Sequence, residues 1–140
     1  MAFTRQEFEE KQERFMRHHK KRIYISGPMS GIPEFNFPAF FEAQKLLEAK
    51  GWEVFNPAEK DAEGTVPDDP AFASGDAPML MANGFDFQGA FRWDLNHVLN
   101  ANAIYMLKGW EHSPGARAEW ETAVVMQLKY GKDKYEIIYE

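Results

Sequence analysis

Four short, apolar, β-rich runs constrain what this chain can fold into: residues 22–26, 52–55, 103–107 and 135–139. Gly27-Pro28 closes the first, Asn56-Pro57 the second and Gly109 the third, and helical spacing fills much of the sequence between them. Phe37 to Lys50 carries Phe40, Phe41, Ala43, Leu46 and Leu47 at helical spacing, with Pro38 in a first-turn position and Gly51 as a C-cap. Residues 91–100 read as a second helix with Phe91, Leu95, Val98 and Leu99 inward, and residues 115–130 as a third, closed by Gly131. The order is β-α-β, a long connection, then α-β-α-β. Such alternation implies a parallel sheet with helices on both faces, an α/β domain.

Residues 4–20 read as a polar helix, an N-terminal arm over 1–21, with Phe8, Phe15 and Met16 as a narrow stripe and Thr4 and Glu7 as a capping box. Its few apolar residues fit a loosely attached helix as well as one packed on a partner subunit. The domain proper spans 22–140. Within it, 58–90 is rich in Pro, Gly and Asp and poor in periodic apolar positions. It reads as a long loop: a lid on the active-site side or an oligomer contact, with a short helix near 78–82.

Bulk properties exclude several classes. With 140 residues the chain makes one domain, and with no cysteine it holds no disulfide or thiolate metal site. A net charge of -6 argues against a nucleic-acid polymer as partner. No run is long enough to span a bilayer, and residues 1–20 have no apolar core of a secretory signal, so the expectation is a cytoplasmic protein. His18, His19, His97 and His112 form no metal-ligand spacing, so no metal and no cofactor are assigned. Aromatic residues make up 15% of the chain, more than a core alone requires, so some are expected to line a pocket.

Three constellations bear on chemistry. The loop Ser26-Gly27-Pro28-Met29-Ser30-Gly31 follows the first run, where glycines let a backbone approach a ligand and hydroxyls hold a sugar or phosphate. It is neither a P-loop nor GxGxxG, and a plain strand-to-helix turn would look much the same. The second is Gly109 to Glu119. Ser113 suits an N-cap and Pro114 the first helical position, which accounts for both without function. Glu119 falls a turn further in, beside small Gly115, Ala116 and Ala123, on the edge of an apolar face with Trp120 and Leu128. It is either a solvated glutamate beside the core or a carboxylate kept ionised by the helix N-terminus and poised as a nucleophile. The third is Asp94, early in the helix before the third run. It is either a cap or dipole complement, or the acid that protonates a departing group. Two carboxyl groups in different environments would then divide the roles of nucleophile and acid, as in glycoside chemistry.

Taken together, 23–31, Asn56-Pro57, Arg92-Trp93-Asp94-Leu95 and Gly109-Trp110-Glu111-x-Ser113-x-Gly115-Ala116-x-x-Glu119 resemble the nucleoside 2-deoxyribosyltransferase-like superfamily, in particular its small phage and prophage domains. The likeness covers about residues 22–139. It implies a Rossmann-like fold of the flavodoxin kind and cleavage of the N-glycosidic bond of a nucleoside or nucleoside 5′-monophosphate, by hydrolysis or transfer. It implies Glu119 as nucleophile, Tyr24 as the residue that orients it, and Asp94 as the contact to the leaving base. Ser113 would bind the sugar or its 5′ group, while Gly27 and Gly115 would let the backbone approach. Where many relatives carry Ala-Asp at the start of the third strand, this chain has Ala101-Asn102, and Asn102 would hydrogen-bond a ribose hydroxyl without acting as a base. The resemblance also implies a homodimer or larger homo-oligomer. Ser30, Ser113, Arg92 and Lys108 are the candidates for holding a phosphate. The competing readings are a nucleotide-binding module without turnover, a sensor or sponge, and an NAD glycohydrolase.

Overall fold

The computed structural model describes residues 4–18 and 21–140, with residues 12–18 described by backbone alone. The expected Phe15 and Met16 stripe, like His18 and His19, thus lies outside the described side chains. Helix α1 (Arg5–His18) opens with the expected capping box: Glu7 N–H donates to Thr4 Oγ1, and Thr4 N–H donates to Glu7 Oε2, both at 3.1 Å. Phe8 is exposed.

Strand β1 (Arg22–Ser26) is followed by α2 (Phe37–Ala49), β2 (Glu53–Phe55), α3 (Pro57–Ala62), α4 (Ala77–Ala82) and α5 (Phe87–Asn100). The chain closes with β3 (Ala103–Met106), α6 (Pro114–Tyr130) and β4 (Glu136–Tyr139). The four strands form one parallel sheet in the order β2-β1-β3-β4. This is the Rossmann-like, flavodoxin-type arrangement expected from the sequence. The chain runs from β1 to β2 on one side and returns to β3 on the other, so the order reverses between β1 and β3. A crevice opens at the carboxyl ends of strands at such a switch point.

The central strand β1 is buried on both faces, and the strand period of two divides its side chains. Ile23 and Ile25, with Ala103 and Tyr105, pack with Phe40, Ala43 and Leu47 of α2. Tyr24, with Ile104 and Met106, packs on the other face with Val98 of α5 and Ala123 of α6. Tyr24 and Ser26 therefore share the side of the sheet that carries α5 and α6. Three residues expected inward prove otherwise: Leu46 and Leu99 are about half exposed and Leu128 is 79% exposed. On α5, Val98 is buried as expected and Phe91 and Asp94 are partly buried on the cavity side, while α6 turns Ala116, Glu119 and Ala123 toward the sheet.

Within 58–90 the short helix expected near 78–82 is present as α4, while the long loop around it is corrected, since most of α3 and the start of α5 also fall there. Asn56 Oδ1 accepts from Ala58 N–H at 2.9 Å and Pro57 takes the first helical position, so the Asn-Pro that ends β2 also starts α3. Asp76 and Asp86 cap α4 and α5 in the same way, by accepting from Met79 and Gly89 N–H. These caps carry the chain across the sequence that lacks periodicity. The segment is pinned to the β1–α2 loop: Gly31 N–H donates to Gly75 O at 2.8 Å and Glu34 N–H to Ala73 O at 3.2 Å. Glu34, Phe35 and Asn36 all adopt left-handed backbone angles there, with φ of 56°, 49° and 62°. That costs roughly 1–2 kcal/mol per residue, offset by burial of Phe35 and by the Asn36 Nδ2 bond to Pro28 O at 2.9 Å.

Gly75 is the pivot of this contact. Its φ is +73°, and a Cβ there would sit 2.0 Å from Ile32 O. Gly75→Ala is expected to destabilise the protein by about 3 kcal/mol, read as a lowered urea midpoint. A loss below about 1 kcal/mol would mean that the two loops separate freely.

Candidate active site

The crevice at the β1/β3 switch point is a cavity of about 740 Å³. Its floor is the end of β1 and the start of α6, with Tyr24, Gly27, Ala116 and Glu119. Phe87, Phe91 and Asp94 of α5 form one wall. Phe35, Phe37 and Phe40 come from the β1–α2 side. Val66, Leu80 and Phe85 line it from the 58–90 segment.

Glu119 lies at the bottom and is 5% exposed. Tyr24 Oη donates to its Oε2 and Ser26 Oγ donates to its Oε1, each at 2.7 Å. The two donors are i and i+2 on β1, so the strand period alone aims both at one carboxylate. The ion pairs Arg5–Glu9, Arg22–Glu53 and Lys60–Glu63 lie on the surface and none of them involves Glu119, which two neutral hydroxyls hold. Burial raises its pKa well above the usual carboxylate range, and the Ser26 and Tyr24 hydrogen bonds pull it back down. The helix N-terminus was expected to favour the ionised form, but desolvation outweighs it.

Asp94 is not near a helix start. Asp86 caps α5 four residues earlier than the sequence suggested, which puts Asp94 two turns into the helix. The cap or dipole explanation therefore does not apply. Burial raises the Asp94 carboxyl most, and the charges of Glu119 and Asp61 raise it further. Two neighbouring buried carboxyl groups do not both ionise readily. Both oxygens of Glu119 accept hydrogen bonds, from Tyr24 and Ser26, which favours the ionised form on Glu119 and the proton on Asp94. Tyr24, fully buried between them, has its own ionisation pushed far up by burial and by the charges of Glu119 and Asp94, so it stays a neutral phenol.

Of the other expected binding residues, Gly27, Pro28, Met29, Ser30, Ser113 and Gly115 line the cavity. Gly31 does not, and its backbone instead bonds to Gly75. Ser26 is fully buried and its hydroxyl is committed to Glu119, so it positions the carboxylate and does not reach a ligand. Asn102 is a clear correction. It precedes β3, at the amino end of the sheet, where its Oδ1 accepts from Arg22 N–H at 3.0 Å, away from the crevice. Its amide says nothing about catalysis. Lys108 lines the cavity but Arg92 is exposed and does not, which removes Arg92 from the phosphate candidates.

Ser113 Oγ accepts from Ala116 N–H at 3.2 Å as the N-cap of α6, leaving its own O–H to donate into the cavity. The two glycines differ. A Cβ on Gly27 would meet Leu107 Cβ at 2.7 Å, so glycine is needed there for packing, whereas a Cβ on Gly115 would meet nothing closer than Phe91 at 4.0 Å. Gly115→Val is therefore expected to leave the melting temperature within a few degrees of wild type while weakening ligand binding about tenfold or more by filling the space over Glu119. Equal binding by both forms would show that ligand does not cross this turn. Asp61 and His112 also line the cavity and were missed from sequence. Asp61 was hidden in the presumed loop, although Asn56-Pro57 marked the helix that carries it. The only signal for His112 was its place in the loop after β3.

Fold and site together define a Rossmann-like α/β domain with a hydroxyl-held carboxylate at the floor of an aromatic-walled cavity. Residues 21–130 match the model of a family described as Domain of unknown function (DUF4406), and the chain belongs to that family. The matched stretch contains Tyr24, Ser26, Asp94 and Glu119. No curated protein matches the chain.

Proposed function

We propose that this protein cleaves the N-glycosidic bond of a nucleoside or nucleoside 5′-monophosphate, with Glu119 as nucleophile. The observation that carries this reading is a buried carboxylate held by two neutral hydroxyls, in none of the ion pairs above, at the floor of a ligand-sized cavity. A structural glutamate in that place would be expected to pair with Lys or Arg. A nucleophile needs its charge unmasked and its oxygens aimed. The sequence resemblance to nucleoside 2-deoxyribosyltransferase-like enzymes supports the same roles.

In the first step a Glu119 oxygen attacks the anomeric carbon. The bond from that carbon to the base nitrogen breaks with its electron pair going to the base, which takes the proton of Asp94. In the second step a water, or the nitrogen of an incoming base, gives a proton to the Asp94 carboxylate and attacks the same carbon. The glycosyl ester breaks and Glu119 is released as carboxylate. Ser113, the turn at Gly115 and Lys108 line the same cavity and are the residues we assign to the sugar and its 5′ group.

The test is incubation of the wild-type protein with ribo- and deoxyribonucleosides, their 5′-monophosphates and NAD, with free base measured by chromatography. Mass spectrometry of the quenched protein would seek a sugar adduct on the peptide containing Glu119. Base release together with the adduct is the expected result. Tight retention of an unaltered ligand would make the protein a binding module. Nicotinamide release alone would make it an NAD glycohydrolase.

A further inference from the structure

The cavity holds a third carboxyl group that this mechanism does not use. Asp61 projects from α3 into the cavity, near Val66, Leu80 and Phe85, which line the same wall. Among the described residues its carboxylate makes no hydrogen bond or close ion pair: the charge of neighbouring Lys60 acts on it, but that ammonium lies 3.6 Å from Glu63. The three acids do not form a metal cluster, since no group of three His, Asp or Glu side chains among the described residues is placed to hold an ion.

Its position in the cavity limits what it can meet. Asp61 lines the same cavity as Asp94 and Tyr24 and stands near enough for its charge to act on both. Aromatic and aliphatic side chains line that cavity, the surroundings a flat heterocycle requires. Burial raises Asp61 only to about 6, so at neutral pH it is ionised and purely an acceptor. A half-buried acceptor with no protein partner calls for a donor on the ligand.

We propose that Asp61 selects the base, accepting a hydrogen bond from an exocyclic amino group, so that amino-bearing bases are taken in preference to their keto counterparts. Keto bases fit worse for a stated reason. The carbonyl oxygen that replaces the amino group, on C4 of uracil or C6 of hypoxanthine, would face the same carboxylate with like partial charge and offers it no hydrogen. A site built to accept from a ligand N–H rejects the analogue that lacks it, because its own buried group is left unpaired.

This inference rests on the glycosidase reading, and the experiment separates the two. Full-length Glu119→Gln protein is titrated calorimetrically with matched pairs, adenosine against inosine and cytidine against uridine, in ribo and 2′-deoxy forms. The same pairs are compared for base release by wild type. The amino member should be favoured by about tenfold or more, and Asp61→Asn should bring the ratio within about threefold, because its amide both donates and accepts. Asp61→Ser serves as a second variant if the amide lowers the melting temperature. Equal affinity or turnover within pairs in the wild type overturns the role of Asp61 and leaves the glycosidase reading standing. A preference that survives Asp61→Asn overturns it likewise. If no nucleoside binds or is cleaved, both fail together.

Discussion

Glu119→Gln is expected to reduce base release by about 10³-fold or more and to leave the fold intact. The activity loss follows from the carboxylate's being the only group at the cavity floor that can form the covalent bond: its hydrogen-bond donors, Tyr24 and Ser26, are neutral and face it. An amide has the same shape but no charge with which to attack. The fold should survive because hydroxyls rotate. The serine or tyrosine that gave its hydrogen to one carboxylate oxygen can accept from the amide NH₂ instead. Since burial penalises the ionised glutamate, the melting temperature of Glu119→Gln at pH 8 is expected to equal or exceed that of wild type. Kinetics and calorimetry on the same preparation check both halves. Retained turnover would remove Glu119 from the chemistry, and a collapsed melting temperature would make it a structural residue.

Much of this was legible because strand and cap chemistry are local. The four apolar runs gave the strands, the Ser113-Pro114 pair gave the start of α6, and together they put Glu119 at the carboxyl end of β3. The period of two should also have paired Ser26 with Tyr24, yet Ser26 was assigned to ligand by its place in a glycine-rich loop. The 58–90 segment resisted reading because its helices are too short to show periodicity and are marked only by Asn56, Asp76 and Asp86 as caps. Missing the Asp86 cap also misplaced Asp94 near a helix start. Asn102 stands at the start of the third strand, the amino end of a parallel sheet and so the end away from the crevice; the family resemblance, not the strand's direction, is what places it in the site. Exposure of Leu99 and Leu128 reflects a further limit: a helix face is fixed by the residues that meet the sheet, Val98 on α5 and Ala116, Glu119 and Ala123 on α6, and not by apolar residues counted alone.

Asp94→Asn should change both activity and the pH dependence of stability. Without a proton to give, the variant is expected to lose about 10²- to 10⁴-fold in base release. It should lose less on nucleosides whose bases leave readily as anions, such as those bearing electron-withdrawing substituents. For stability the sign is fixed by protons bound. In the unfolded chain both carboxyl groups titrate near pH 4. In the folded protein burial holds the proton on Glu119 to about pH 7 and, with the added charges of Glu119 and Asp61, on Asp94 to about pH 8. Between these limits the folded state binds more protons than the unfolded one, so stability is greatest at the acid end of the window and falls as pH rises toward 8. The shift of Asp61 to about 6 acts in the same direction over the lower part. Both groups of the pair act in this direction, so the loss of stability accumulates as pH rises through the window. Urea midpoints measured from pH 5 to pH 9 should therefore decline in wild type and decline much less in Asp94→Asn, which cannot ionise. The variant should be the more stable protein at pH 8 and lose that advantage toward pH 5. A slope unchanged by Asp94→Asn would show that Asp94 is already ionised in the folded protein at neutral pH, and a group without its proton there could not be the acid that releases the base.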